Sequence, residues 1–152
     1  SLYGLSITGL RFFTVYGPWG RPDMATYLFM DSFKNNRPIT LFNNGDMLRD
    51  FTYVDDVVNV ISLLLRRPHG VNKGALDLLN VGNETVVRLA DFVAILERLI
   101  GRLAEKFYEP KQAGDVLMTH ANTSRLRQQI GYIPDTVVED GLKNTVDWYL
   151  QQ

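Results

Sequence analysis

The sequence predicts an α/β fold, because short apolar runs that fit buried strands alternate with longer segments that have helical spacing. The clearest run covers residues 10–15, and it ends at Tyr16-Gly17-Pro18-Trp19-Gly20, where two glycines and a proline stop strand pairing. A parallel sheet presents such loops to a ligand at the carboxyl ends of its strands. The sequence has no internal repeat and no long linker, so we expect one domain over residues 1–152.

The first part of the chain predicts a strand, a helix and two further strands. The apolar run 10–15 fits a strand that is buried on both faces. Residues 25–35 carry apolar side chains at helical spacing. Residues 39–42 and 48–53 are predicted strands, and the Asn44-Gly45 dipeptide between them favours a hairpin.

The middle of the chain predicts a helix, a strand and a second helix. Helical spacing extends over residues 54–67 and stops at Pro68. Residues 75–81 fit a buried strand. The next amphipathic helix covers residues 89–100 and ends at Gly101.

The last third is less regular. Phe107-Tyr108 fits a short strand, and residues 110–118 have no periodic pattern. A short helix follows, with Asn122 or Thr123 as its expected cap and Gly131 at its end.

The final helix is predicted from its start signal. Thr136-x-x-Glu139 has the form of a capping box, which opens a helix by pairing side chains with free backbone N–H groups. Gly141 lies inside this helix and costs about 1 kcal/mol relative to alanine. We therefore expect a close approach of another segment at Gly141.

The composition excludes several classes of function. The chain has 152 residues, of which 45% are apolar, and 16 basic against 17 acidic residues give a net charge of −1. Without a basic cluster, nucleic acid is not an expected partner. The absence of cysteine agrees with a cytoplasmic location. The two histidines, His69 and His120, are far apart, so we expect no metal site, and no apolar stretch is long enough to cross a membrane.

Several motifs give the chain a family resemblance. They are Gly17-Pro18-Trp19-Gly20-Arg21-Pro22-Asp23-Met24, Arg49-Asp50-Phe51-Thr52-Tyr53-Val54-Asp55-Asp56, Asn80-Val81-Gly82-Asn83, Ala113-Gly114-Asp115-Val116 and the tail over residues 141–149. In their order these segments resemble the extended short-chain dehydrogenase/reductases that act on nucleotide sugars. The first segment, residues 17–24, is most similar to the UDP-glucuronate 4-epimerases.

The resemblance implies a Rossmann-type enzyme that uses NAD and a UDP-sugar. In this family, NAD takes hydride from C4 of the sugar and returns it to the opposite face of a 4-keto intermediate. The family's Gly-rich phosphate turn and its catalytic Tyr-x-x-x-Lys pair are both absent from this sequence. We therefore expect the C-terminal, substrate-binding half of such an enzyme, with no catalytic residue and no activity alone.

The same resemblance implies how the half is organised. Residues 1–20 correspond to one residual strand of the Rossmann sheet with its loop, and residues 21–152 correspond mainly to the sugar-nucleotide lobe. The full-length enzyme is expected to be a homodimer. Alternative interpretations are a fragment of another nucleotide-sugar epimerase or of a 4,6-dehydratase, or a non-catalytic module that binds sugar nucleotides.

Arg49 is the main candidate for binding the pyrophosphate. A guanidinium offers a fork of donors that matches phosphate oxygens, and the similar enzymes have a nucleotide-binding arginine at this place. The alternative is a surface ion pair with Asp46 or Asp50. The acids of the same motif, Asp50, Asp55 and Asp56, fit the N-terminal turn of a helix better than a catalytic role.

The resemblance places further residues near the sugar and the cofactor. Arg21, or the backbone beside it, is a candidate for recognising the C5 carboxylate of a uronic acid, and Thr14 lies where many neutral-sugar relatives have asparagine. Phe12 and Phe13 correspond to residues that line the nicotinamide pocket. The alternatives are a β-branched strand residue for Thr14 and a core position for the two phenylalanines.

The resemblance also implies which residues contact the uracil and a second phosphate. The backbone of Leu41-Phe42-Asn43 is expected to meet the uracil, and Asp115 belongs to the substrate site. Gln112 stands where many relatives have a phosphate-binding arginine, which leaves Lys111 as the nearby cation. Tyr16 is a phenol beside the site, but no lysine is spaced to lower its pKa, so we do not expect it to act as a base.

Overall fold

The computed structural model describes residues 3–67 and 76–152, and it has a mixed α/β architecture with several parallel strand pairs. The helices are α1 (Ala25–Lys34), α2 (Val54–Leu65), α3 (Leu89–Ile100), α4 (Ser124–Ile130) and α5 (Val138–Tyr149). The strands are β1 (Ile7–Phe12), β2 (Thr14–Tyr16), β3 (Ile39–Phe42), β4 (Leu48–Tyr53), β5 (Leu76–Val81), β6 (Val86–Arg88) and β7 (Lys106–Glu109). The predicted fold class is confirmed.

The strands of the described residues form three small sheets, each of which we call a ladder. In the first, β1 pairs with β5 in parallel, with Leu10 opposite Leu79. In the second, β4 lies between β2, which is parallel to it, and β6, which is antiparallel. The predicted strand at 10–15 is thus two strands, which separate at Phe13 and pair with different partners. Strand β6 has only three residues and is not predicted from the sequence.

The third ladder shows that the predicted hairpin is wrong. Strand β3 pairs in parallel with β7, so that Leu41 lies opposite Tyr108. The turn Asn43–Gly45 contains three successive residues with φ between 49° and 76°. This left-handed backbone directs the chain away from β3, and the next strand, β4, joins another ladder.

A single large hydrophobic core lies between α1, α3, α5 and the two ladders of β3 and β4. Phe51 of β4 stacks on Phe92 of α3 at a centroid distance of 4.1 Å, and both side chains are fully buried. Tyr16 meets both rings edge-on. A smaller core joins α2 and α4 to the first ladder through Val57, Val60, Leu79, Val81 and Leu126.

The first ladder is buried on one face, which corrects the prediction of a strand buried on both. Leu79 and Val81 of β5 face the smaller core and are fully buried. Leu76 and Leu78 point to the opposite face and are 76% and 49% exposed. Because paired side chains of parallel strands share a face, Ile7 of β1 is exposed beside them.

Helix ends follow the glycine signals. Gly101 and Gly131 adopt the left-handed conformation after α3 and α4, as predicted. At the start of α4, the Asn122 side chain accepts the N–H of Ser124. Thr123 occupies the cap position itself, yet its hydroxyl donates to Glu84 instead of capping the helix.

Three residues named in the sequence analysis lie outside the described residues. They are Pro68, at the end of a predicted helix, His69, and Ala75, at the start of a predicted strand.

The predicted capping box at the start of α5 is wrong. The helix begins at Val138, and no side chain caps it. The Thr136 hydroxyl and N–H both donate to Asp56, at 2.9 and 3.1 Å, and Glu139 forms an ion pair with Arg98. A tertiary partner from α2 thus replaces the local cap.

Gly141 allows α5 to approach the second ladder, as predicted. A Cβ at this position would collide with the hydroxyl of Tyr16 and would lie 2.9 Å from Cδ2 of Tyr53. The Tyr16 hydroxyl also donates to the Val138 carbonyl at 3.3 Å. The contact therefore joins β2, β4 and α5 at one point.

Replacing this glycine tests the packing. Gly141→Ala should lower the free energy of unfolding by about 1–3 kcal/mol, because the two tyrosine rings must shift. Urea denaturation of the chain measures the change, and Lys143→Ala on the exposed side of α5 is the control. Helix propensity alone predicts a gain of about 1 kcal/mol, so a more stable variant would contradict the packing argument.

Candidate functional site

An open cavity of about 390 Å³ lies where β1 and β2 end. It brings together three residues that the sequence analysis assigned to ligands, namely Phe12, Phe13 and Arg21. Phe12 is 48% exposed, so it does not belong to the core. The remaining wall comes from β2, the loop after it and the start of α2, and its residues are Val15, Tyr16, Gly17, Pro18, Trp19, Gly20, Met24 and Val54.

The loop that forms this wall has a fixed shape. Trp19 has φ of 60°, an uncommon conformation for a large side chain, and 81% of it is exposed. Its ring lies 5.2 Å from the Trp148 ring, and the Gly20 N–H donates to the Tyr27 hydroxyl at 3.0 Å. Contacts from α1 and α5 therefore hold the left-handed backbone in place.

Arg21 points into solvent at the edge of this cavity. Its Nε donates to Asp23 at 2.7 Å, and its Nη2 donates to the other carboxylate oxygen at 3.1 Å. The side chains are 72% and 68% exposed. This bond to Arg21 is also the main reason that the pKa of Asp23 is lowered.

Arg49 and Asp115, which are 66 residues apart in sequence, are in contact. Nη2 of Arg49 lies 2.8 Å from Oδ1 of Asp115, and Nη1 donates to the Leu48 carbonyl at 2.9 Å. The side chains are 17% and 34% exposed. The alternative partners of Arg49 are thus wrong, because Asp46 pairs with Arg88 and Asp50 faces the interior.

The uracil candidates lie at the end of β3. Leu41 is 1% exposed, so its side chain belongs to the core, while Phe42 and Asn43 are partly exposed. Asp46 closes the turn that follows them and accepts a bond from Arg88, which lies opposite Leu48 in the β4 and β6 ladder. The turn therefore lies beside the start of β4, where Arg49 is located.

Thr14 and Tyr16 both lie in β2. Thr14 pairs with Phe51 of β4 and is partly buried. Tyr16 is 3% exposed, and its burial raises the pKa of its phenol far above the ordinary value. A phenol in this state holds its proton, which agrees with the expectation that Tyr16 is not a base.

The predicted role of Asp50 at a helix N-terminus is wrong. Asp50 lies in β4 rather than in the first turn of α2, where Asp55 and Asp56 are found as predicted, and it is fully buried. Its carboxylate accepts the N–H groups of Asn83, Glu84 and Ala121 at 2.8–3.1 Å. The sequence does contain a signal for this role. Asp50 lies inside a predicted strand whose other residues fit the core, and a buried carboxylate needs several hydrogen-bond donors.

Three segments meet at Asp50. Gly82 is required there, because a Cβ would collide with Ala121 and would lie 2.9 Å from the Asp50 carboxylate. The segment that leads from Asp115 to Ala121 runs beside β4, and its backbone exchanges hydrogen bonds with Leu48. Asp50 thus fixes the end of the segment whose beginning holds Asp115 against Arg49.

Glu84 extends this network away from Arg49. It has φ of 62°, and its carboxylate accepts the N–H and hydroxyl of Thr123, which lower its pKa. Nε2 of His120 lies 3.0 Å from the Glu84 carbonyl.

Among residues 3–67 and 76–152 there is no group of three His, Cys, Asp or Glu that could hold a metal. None of the helices in these ranges is long and apolar enough to span a membrane.

Comparison with known proteins identifies the family. Residues 1–82 match the model of the NAD dependent epimerase/dehydratase family. The chain belongs to this family. The resemblance found in the sequence motifs is confirmed, and the family is NAD-dependent.

Relatives of this epimerase/dehydratase chain occur in bacteria and in plants. It is 46% identical to Protein CapI of Staphylococcus aureus, covering 99% of this chain and 49% of that protein. It is 44% identical to UDP-glucuronate 4-epimerase 2 of Arabidopsis thaliana, covering 98% of this chain and 37% of that protein. The chain thus spans about half the length, or less, of the curated relatives it matches.

Solved structures of the family share the fold. A UDP-glucuronic acid 4-epimerase from Bacillus cereus, in complex with UDP-glucuronic acid and NAD, matches with a TM-score of 0.84 and 32% identity over 93% of this chain and 44% of its own. MoeE5, in complex with the same two ligands, matches with a TM-score of 0.87 and 30% identity over 96% of this chain and 48% of its own.

The role of Asp50 can be tested through stability. Asp50→Asn should lower the free energy of unfolding by about 3 kcal/mol, because an amide N–H2 would face backbone N–H groups in a buried place. Chemical denaturation measures the effect. Asp55→Asn, which changes an exposed acid in the first turn of α2, should cost about 0.3–1 kcal/mol. Equal losses in the two variants would show that the buried network is not important.

Proposed function

We propose that this chain is the substrate-binding part of an NAD-dependent UDP-glucuronate 4-epimerase, which interconverts UDP-glucuronate and UDP-galacturonate. The observation that carries the proposal is that Phe12, Phe13 and Arg21 line the same cavity. The two phenylalanine rings and the cation lie together there, as binding of a nicotinamide next to a charged sugar requires. The identity to UDP-glucuronate 4-epimerases supports the choice of sugar.

The aromatic wall fits one end of NAD. Phe12 is half-exposed and Phe13 is partly exposed, so both can contact a flat ring, and they would hold the nicotinamide. The sequence contains no Gly-x-x-Gly-x-x-Gly turn for the cofactor's pyrophosphate. When bound, NAD supplies the hydride acceptor and donor for C4 of the sugar.

Arg49 would bind the pyrophosphate of the UDP-sugar. A guanidinium has five N–H donors, and the Leu48 carbonyl, the Leu117 carbonyl and Asp115 occupy three of them. The two that remain, on Nε and Nη2, are available to phosphate oxygens. Asp115 therefore contributes by orienting Arg49, while the backbone of Leu41-Phe42-Asn43 would meet the uracil.

Arg21 and Thr14 would distinguish the sugar. Arg21 lies at the edge of the cavity, where it can reach a carboxylate at C5 of the hexose. Thr14 precedes the loop that carries Arg21 and lies in the strand beside Phe13. The proposal extends to a cytoplasmic, homodimeric full-length enzyme, in which another segment provides the tyrosine that handles the proton.

Arg49 offers a test of the nucleotide site. In the full-length enzyme, Arg49→Ala should weaken the binding of UDP and of every UDP-sugar alike, by about 1.5–3 kcal/mol, because the pyrophosphate is common to them. Titration calorimetry gives the dissociation constants. Arg125→Ala, an exposed arginine of α4 that forms an ion pair with Asp77, serves as the control. Unchanged affinity in a folded Arg49→Ala variant would leave the arginine with a structural role only.

Arg21 offers a test of the sugar. Arg21→Ala should weaken the binding of UDP-glucuronate by on the order of 2 kcal/mol, about 30-fold, and should leave UDP and UDP-glucose unchanged. The three ligands are titrated side by side. Arg98→Ala, another exposed arginine in an ion pair, is the matched control. If Arg21→Ala weakens UDP and UDP-glucuronate equally, the assignment of the uronate to Arg21 is wrong.

A further inference from the structure

The arginine assigned to the uronate already holds a carboxylate. Asp23 binds Arg21 through two roughly parallel hydrogen bonds of 2.7 and 3.1 Å, the arrangement that a substrate carboxylate would also form. Nη2 of Arg21 also lies 3.6 Å from the sulfur of Met24, which lines the same cavity. A uronate that binds to this face of the guanidinium must therefore replace Asp23.

The exposure of the pair makes such an exchange feasible. Both side chains are about 70% exposed, and ion pairs of this kind contribute little to stability because water solvates both charges. The bond to Arg21 keeps the pKa of Asp23 below its usual range, so the competing charge is present at neutral pH. Arg49 and Asp115 differ, since their pair is largely shielded and further fixed by backbone carbonyls.

We propose that Asp23 is a specificity-determining residue that occupies Arg21 in competition with the carboxylate of the sugar. This inference rests on the proposed function, because it takes Arg21 as the residue that contacts the uronate. Only a carboxylate-bearing sugar has to displace Asp23, whereas a neutral hexose leaves the ion pair intact. Asp23 therefore lowers the preference of the site for uronates below the value that Arg21 alone would give.

The size of the effect follows from the strength of the pair. An exposed ion pair changes an equilibrium by at most about fivefold. Removing the charge of Asp23 also removes its repulsion of the incoming carboxylate, which acts in the same direction. Asparagine keeps the shape of the side chain, so Asp23→Asn changes little except the charge.

The experiment compares ligands that do and do not carry the carboxylate. In the full-length enzyme, Asp23→Asn should lower the dissociation constant of UDP-glucuronate about two- to fivefold and leave those of UDP and UDP-glucose unchanged. The matched control is Asp91→Asn, which removes the same charge from another exposed two-bond pair, with Arg88. The control should not bind UDP-glucuronate more tightly. The proposal is overturned if Asp91→Asn selectively strengthens the binding of UDP-glucuronate, or if Asp23→Asn strengthens the binding of UDP as much as that of UDP-glucuronate.

A double-mutant cycle separates this inference from the proposed function. In an Arg21→Ala background, Asp23→Asn should have no further effect, because the shared partner is gone. If Asp23→Asn still strengthens the binding of UDP-glucuronate in that background, Asp23 does not act by competing for Arg21. If Arg21→Ala weakens UDP-glucuronate selectively but Asp23→Asn brings no gain, the competition alone is wrong. If Arg21→Ala has no selective effect, the uronate assignment and this inference both fail.

Discussion

The buried carboxylate of Asp50 is the interaction on which the arrangement of the site depends. It joins three segments that are far apart in sequence, since strand β4, the turn at Asn83 and the segment ending at Ala121 all contribute to its hydrogen bonds. Within the described residues its carboxylate accepts hydrogen bonds from backbone N–H groups and from the Thr52 hydroxyl. Hydrogen bonds to a charged acceptor offset the cost of its burial, and their loss would leave the charge unsolvated.

The alternating directions of the β4 side chains connect the hydrogen bonds of Asp50 to the surface. Asp50 and Thr52 point to one face, while Arg49, Phe51 and Tyr53 point to the other, because successive side chains of a strand alternate. The same strand therefore anchors the segment of residues 115–121 inside and presents Arg49 at the edge of the large core. Asp115 reaches Arg49 because that segment is held at both Leu48 and Asp50.

The two ion pairs near the proposed ligand differ in their exposure, and this difference fits their different roles in binding. Arg49 and Asp115 are shielded and held by backbone carbonyls, which preorganises a cation for a group that every UDP-sugar carries. Arg21 and Asp23 are exposed, and their loop is shaped by aromatic contacts with α1 and α5. An exposed pair exchanges readily, as recognition of a variable sugar group requires.

The helices can be predicted from the sequence alone, because apolar spacing and the glycines at 101 and 131 act within a few residues of their own positions. Arg49 and Asp115 can likewise be selected separately as candidates from their motifs. The partners of each segment, in contrast, are set by tertiary packing: β3 pairs with β7 rather than with β4, and Thr136 bonds to Asp56 rather than to its own helix. Strand pairing and buried hydrogen bonds depend on which segments the packed core brings together, and local sequence patterns carry no information about that choice.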